Sequence, residues 1–407
     1  MKKIVLALFI CCSMAGILFA GNSLKVWTVY KPDMAAYQSL EKILDNFVSE
    51  TSISVELVSI PDQTDMDTKL QMAAPAGMGP DVIATMPHDI IGKWANQGIL
   101  YPLDTHPDSL NGFFDSTVMA VTYNGKPYGI PLSVESVGLV YNKALVEKAP
   151  ETFDEVLDII EQYENSDTYG LVFPAAEPYH MYGILKGFGG YIFGWKDDQY
   201  DVYDIGMNNE GAVEAVNYLK SFFDNGYFPE SMRDRSSQHA FSTGTFEQGK
   251  AALQINGPWV IANLEKLGID YGISVIPMLP NGEYPQPFLG VQFVGINNYS
   301  SNKEAALKLA EYITSKSNMA QFALDTHLTP TRSDVLETED VKSNEQISAW
   351  ARQAELGNPM PNIPEMSSVW SVWSDALQIV YLGKENAEDT MQQLSDAITE
   401  KIEIMRK

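Results

Sequence analysis

LKVWTVYKPDMAAYQSLEKILDNFVSETSISVEL, residues 24–57, reads as strand, helix and strand in immediate succession. Leu24 to Tyr30 is dense in β-branched and aromatic residues, as a buried strand requires. Met34, Tyr37, Leu40, Leu44, Phe47 and Val48 then return at helical spacing, and Ile53, Val55 and Leu57 alternate as a second strand. Strands joined through a helix pair in parallel, because the chain must cross back over the sheet before it can run the same way again. A third short strand, Val82 to Thr85, follows Gly79-Pro80-Asp81. The pattern predicts an α/β lobe: a mainly parallel sheet flanked by helices.

At 407 residues the chain exceeds the size at which one hydrophobic core stops growing, so two domains are expected. GIPLSVESVGLVYNK, residues 129–143, is extended and continuous enough to leave one lobe and enter another. Beyond it Thr152 and Glu155 form a capping box, a helix carrying Val213, Val216, Phe222 and Phe223 starts near Glu210, and Gly226 ends it. Pro258 suits a first helical position and Gly268 a helix stop. Tyr271 to Ile276 and Leu289 to Asn297 read as strands, Asn302 as a helix cap, and Met391, Leu394, Ile398, Ile402 and Met405 as one face of the last helix. These elements make a second α/β lobe.

Lys2 and Lys3 precede an apolar run from Ile4 to Ala20, with Gly21 next: the n-region, h-region and small-residue cut of a secretory signal peptide. The protein is therefore expected to be exported. Both cysteines, Cys11 and Cys12, lie inside the h-region, where Ile10 and Cys11 precede them instead of the small residue a lipoprotein cut wants, so a lipid anchor is the lesser expectation. The formal charge of −26 repels phosphate backbones and anionic membranes, which argues against nucleic acid as a partner.

Few catalytic signatures are present. Gly244 to Lys250 approaches a phosphate-binding loop, but Ala251 replaces the magnesium-binding hydroxyl, and a helix end is the better reading. GxSxG, HExxH and paired CxxC are absent, and the five histidines are scattered, so neither a metal nor a cofactor is expected. Glu135 and Glu177 stand out as carboxylates. Such a pair could flank a sugar for hydrolysis, as in a secreted glycosidase, or accept hydrogen bonds from hydroxyls without chemistry. In NPMPNIPEMSSVWSVWSDAL, residues 358–377, Trp370 and Trp373 lie on adjacent sides of one helix, which fits a core stripe or an aromatic wall.

The runs NGPW (256–259), YGISVIPMLPNGEYPQPFLGVQFVGIN (271–297), PYGIPLSVESVGLVYNK (127–143), GGYIFGWKDDQYDVYDIGMNNEGA (189–212) and MPNIPEMSSVW (360–370) resemble the maltose-binding protein family, the sugar-binding components of bacterial ABC importers. The resemblance spans the mature chain. It implies a two-lobed periplasmic-binding fold of type II, a cleft for an α-glucoside such as maltose, maltotriose or trehalose, permease subunits as partners, a monomer and no catalysis. The implied division is a signal peptide over 1–20, a first lobe over 22–133 plus 294–330, and a second over 134–293 plus 331–407.

Residue by residue, Glu135 and Glu177 match carboxylates that contact sugar hydroxyls, Tyr179, Trp259 and Trp370 match stacking rings, and Asp89 in PHDIIG (87–92) falls on a sugar-binding aspartate. Lys31 matches a polar pair only across a gap, and Met86 lies near where the family has a tryptophan. Ile90 and Ser374 stand where the family has arginines, so sugar preference is expected to differ there.

Overall fold

The computed structural model describes residues 23–164, 166–196 and 199–407, so the expected signal peptide with Cys11 and Cys12 lies outside the described residues. Ser23–Thr28 pairs in parallel with Ser54–Ser59 on one side and Val82–Pro87 on the other, and the helix Ala35–Thr51 makes the first crossover. That helix buries Leu40, Ile43, Leu44 and Phe47 along one face, as its spacing dictates.

The first sheet continues through Phe288–Ile296, Ile130–Glu135 and Thr329–Pro330. Phe288–Ile296 runs antiparallel to both Val82–Pro87 and Ile130–Glu135. The second sheet orders Tyr271–Ser274, Gly138–Asn142, Ala251–Asn256 and Tyr169–Val172, with Gly138–Asn142 antiparallel to both its neighbours and only the last pair parallel. The parallel pattern is thus broken in each sheet by a strand arriving from the other lobe. Such a strand enters at the edge where the native strands end, so it must run against them.

Each lobe has its own apolar core, one built on Leu24, Val26, Phe47, Ile83 and Phe293, the other on Phe173, Leu219, Phe222, Trp373 and Tyr381. Val335, Val341 and Ile347 pack in the first core, although the sequence reading assigns everything past 330 to the second lobe. Two short helices, Ser333–Leu336 and Glu339–Lys342, hold Val335 and Val341 there against Lys316–Thr326, and Ile347 follows on Glu345–Glu355. Trp350, on the same helix as Ile347, packs instead with Val140, Val172 and Phe246 of the second lobe. The helix Glu345–Glu355 therefore straddles the hinge.

Local signals hold up at several caps. Thr152 accepts from the Glu155 N–H, but the Glu155 carboxylate returns to the Glu151 N–H, one residue earlier than in the usual box. Gly268, at φ 71°, ends the helix Ile261–Leu267 in the left-handed region that glycine tolerates. Asn302 occupies its cap position without capping, because its amide donates to Asp81. Met405 is exposed, not part of the inward face of Ala387–Met405.

Candidate functional site

Strands that end at the same edge bring the loops after them together, and this is where binding sites form in open α/β sheets. Ile130–Glu135 ends on Glu135, Val82–Pro87 runs into Asp89, Ala251–Asn256 into Trp259, and Tyr169–Val172 toward Glu177 and Tyr179. Met86, Asp89, Glu135, Glu177, Tyr179, Trp259 and Trp370 line one cleft of about 790 Å³. Lys31 is exposed beyond the first strand and is not among the lining residues.

The first-lobe wall is held by His88. Its Nδ1 accepts from the Val291 N–H at 3.0 Å and its Nε2 donates to the Met360 carbonyl at 2.9 Å, tying the Asp89 loop to both returning segments. Burial pushes His88 down to about 4 despite those two bonds, so the ring is neutral. Just upstream, Thr85 is the extra residue of a bulge against Phe293-Val294 and sits at φ 71°, a strained value for a β-branched residue. The bulge turns Met86 and Pro87 toward the cleft rim. Asp89 is pushed up to about 6 by burial and by Asp67, while the Trp370 indole and its own backbone N–H oppose the rise.

Glu135 lies where the chain leaves the first lobe. Its Oε2 accepts from Gln292 Nε2 at 3.0 Å, yet burial carries the carboxyl up to about 7. Gln292 Oε1 has no partner among the described residues, leaving an acceptor beside it. The Tyr179 hydroxyl donates to the Glu135 carbonyl at 3.2 Å, which fixes the ring across the junction of the lobes.

The second-lobe wall is aromatic. Trp259 lies 6.1 Å from Tyr179 and 6.2 Å from His180 between ring centroids. A Cβ on Gly257 would fall 2.2 Å from the Trp259 ring, so only glycine lets the indole fold over the backbone there. Trp370 packs edge-on against Phe288 at 5.7 Å, and Phe288 stacks flat on Tyr182 at 3.6 Å. Three layers of rings thus hold Trp370 in place. Trp373, three residues on, is fully buried in the second core. Ser374 spends its hydroxyl on the Ala176 carbonyl at 2.9 Å.

Glu177 caps the helix Pro178–Gly187. Its Oε2 accepts from the His180 N–H at 3.1 Å and from His180 Nδ1 at 2.6 Å. Burial alone would raise the carboxyl, but these bonds and the charge of His180 hold it below its ordinary value. It is therefore an ionised acceptor.

The cleft also holds residues that the sequence reading passed over. Lys93 pairs with Asp67 at 2.5 Å, and Asp67 takes the Trp94 indole N–H at 2.7 Å. Lys93 lies one turn past Asp89 and lines the same cleft; the i, i+4 spacing of Asp89 and Lys93 was the available signal. His180 and His239, two of the scattered histidines, converge on Glu177. Nothing in their spacing announced that.

Over residues 42–349 the chain matches the family described as bacterial extracellular solute-binding protein. It is similar to a maltodextrin-binding protein, MdxE, of Bacillus subtilis, with 36% identity across 89% of this chain and 87% of the relative. A galactooligosaccharide-binding protein of the same organism is 31% identical across 92% of this chain and 88% of its own. Among solved structures, a cyclo/maltodextrin-binding protein complexed with maltotetraose superposes with a TM-score of 0.81 at 31% identity, covering 94% of this chain and 97% of that one.

Proposed function

This chain belongs to the bacterial extracellular solute-binding proteins, and from that premise we propose that it captures a maltodextrin-class α-glucan oligosaccharide in the interlobe cleft and delivers it to an ABC importer. The observation that carries the reading is the convergence of three rings, Trp259, Tyr179 and Trp370, with the carboxylates Asp89, Glu135 and Glu177 on one cleft. A sugar ring presents apolar C–H faces and an edge of hydroxyls. Large stiff rings cover the faces, and carboxylates accept from the edge. Each buried hydroxyl left unpaired costs about 1–3 kcal/mol, so the acceptors select the sugar while the rings hold it.

The acceptors stand on different bodies: Asp89 on the first lobe, Glu177 with the rings on the second, and Glu135 at the crossing. A ligand that must touch both lobes binds the closed form better than the open one, and that difference drives closure. Taking a two-state hinge from mostly open to mostly closed needs about 5 kcal/mol of such preference, within reach of several hydrogen bonds and stacked rings. The first lobe we assign to residues 23–133 with the returning segments through 347, and the second to the remainder.

We read the protein as a binder, not a hydrolase. Glu177 is committed to its helix cap and Glu135 to Gln292, which suits fixed acceptors better than groups that must trade protons with water. Export by a cleaved signal peptide, without an anchor on Cys11 or Cys12, completes the proposal; mass spectrometry of the mature amino terminus tests it. The decisive experiment is calorimetric titration with maltose, maltotriose, trehalose, sucrose and a galactooligosaccharide. Heat only from the last would move the assignment to galactosides, and silence from every α-glucoside would end it. Reducing-sugar release that vanishes in Glu135→Gln would instead support the hydrolase.

A further inference from the structure

The cleft carries more negative charge than it balances. Among the described residues that line it, Asp67, Asp89, Glu135 and Glu177 bring carboxylates, and Lys93 is the one lysine or arginine. That cation is already spent, since Lys93 pairs with Asp67 at 2.5 Å. Glu177 has His180 at 2.6 Å. Asp89 and Glu135 have no cationic partner among the described residues. The Trp370 indole and a backbone N–H are what oppose the rise of Asp89, and the Gln292 amide is what opposes that of Glu135. Ile90 and Ser374 line the same cleft and bring no charge to it.

The carboxylates also converge. The Tyr179 hydroxyl is pushed up first by burial and then by the charges of Glu135, Glu177 and Asp89, so one phenol feels all three. An independent observation adds an acceptor to this wall. Gln292 is 4% exposed and lines the cleft, and its Oε1 has no hydrogen-bond partner among the described residues. Its Nε2 is committed to Glu135 Oε2, the bond that holds the two side chains together. The wall is therefore rich in acceptors and poor in donors. A sugar hydroxyl supplies one donor proton, whereas an ammonium group supplies three together with a charge.

We propose that the cleft accepts amino sugars, and that an α-glucan oligosaccharide with one hydroxyl replaced by an ammonium group binds more tightly than its neutral parent, drawn to the unpaired carboxylates Glu135 and Asp89. This rests on the oligosaccharide reading and narrows it. Folding has already stripped both carboxylates of water without giving either a counter-charge, so a cation that reaches them meets acceptors desolvated in advance. The charge counts for more there than in bulk water, because the surrounding dielectric is lower. Neutral sugars remain ligands, since hydroxyls also donate to carboxylates. The ligand's own ammonium must leave water, which offsets part of the attraction and holds the expected gain to about tenfold.

The experiment is calorimetric titration near pH 8, above the range in which either carboxyl titrates and below that of an alkyl amine. The probes are maltotriose, the maltotrioses in which the C6 hydroxyl of the first, second or third unit is replaced by an amine, and the N-acetyl form of each amine. Acetylation keeps the nitrogen and removes the charge; maltotriose controls for the bulk that it adds. At least one amine is expected to bind about tenfold tighter than both maltotriose and its own acetyl form, and that advantage should fall to about threefold or less in Glu135→Gln or Asp89→Asn. Ratios are taken within each variant, because both substitutions weaken sugars in general. No amine that exceeds maltotriose, or an advantage that survives in both variants, overturns the inference and leaves the oligosaccharide reading standing. An amine that binds where maltotriose does not supports the inference and overturns only the neutral-glucan assignment. Silence from maltotriose and from every amine ends both.

Discussion

Glu135→Gln is expected to stabilise the sugar-free protein above neutral pH and to leave it unchanged in acid. The folded carboxyl titrates at about 7 because burial disfavours its charge, against 4.5 in an exposed chain. Between those values the folded state holds a proton that the unfolded state has lost, so stability falls as pH rises through the window. At 1.36 kcal/mol per pH unit the full cost is roughly 3 kcal/mol. The carboxyl is only partly buried, and water in the cleft reduces this to about 2 kcal/mol. Glutamine carries no charge to desolvate and can still accept from Gln292. The assay is urea unfolding of wild type and variant near pH 8 and near pH 4. Other groups that titrate in this range do so in both proteins and cancel in the difference. A variant more stable by about 2 kcal/mol at the higher pH and equal at the lower is the expected result. The same gap at both values, or a less stable variant near pH 8, would refute desolvation as the cause. By the proposed function, this stabilised variant also loses sugar affinity, because an ionisable acceptor has been exchanged for a weaker one.

Other outcomes separate the roles of neighbouring residues. Trp373→Ala should cost about 3–5 kcal/mol in unfolding, as a large side chain removed from a closed core does; Trp370→Ala should instead weaken maltotriose binding with a nearly unchanged melting curve. Wild-type sugar affinity in Trp370→Ala would return that ring to a structural part. His88 titrates near 4 when folded and near 6.5 when unfolded, so the unfolded state binds its proton first and stability drops as pH falls across that window; His88→Asn should flatten this acid limb relative to wild type, and parallel curves would count against it. Gly92→Ala places a Cβ 2.5 Å from the Asn362 carbonyl and 2.8 Å from Pro364, so the segment that closes over the first lobe must shift. It should lower both melting temperature and sugar affinity, at about 1–3 kcal/mol of strain, and a variant unchanged in both would contradict the contact.

Much of the fold was legible because it is written in short-range pattern. The apolar spacing of residues 34–48 names the buried face of Ala35–Thr51, and Thr152 and Gly268 mark helix ends through geometry that involves only a few residues. The break in Gly129 to Lys143 between two sheets was readable as a crossing because its two halves are extended and joined without room for a turn back. Asn302 shows the limit of such reading. The residue type suited a cap, but Asp81, distant in sequence, claimed the side chain.

The sequence by itself determined the chemistry available to the cleft: rings at 179, 259 and 370, carboxylates at 89, 135 and 177, and strands that end just before most of them. Only the tertiary structure decided which groups meet. It set Trp370 in the cleft and Trp373 in the core, brought Lys93 to Asp67, left Lys31 outside, and carried His239 to His180 and Glu177. Helix periods and caps depend on neighbours within a turn or two, so one chain segment states them completely. A cleft is made where strands from two lobes end at a common edge, and which loops arrive there depends on the packing of both cores at once.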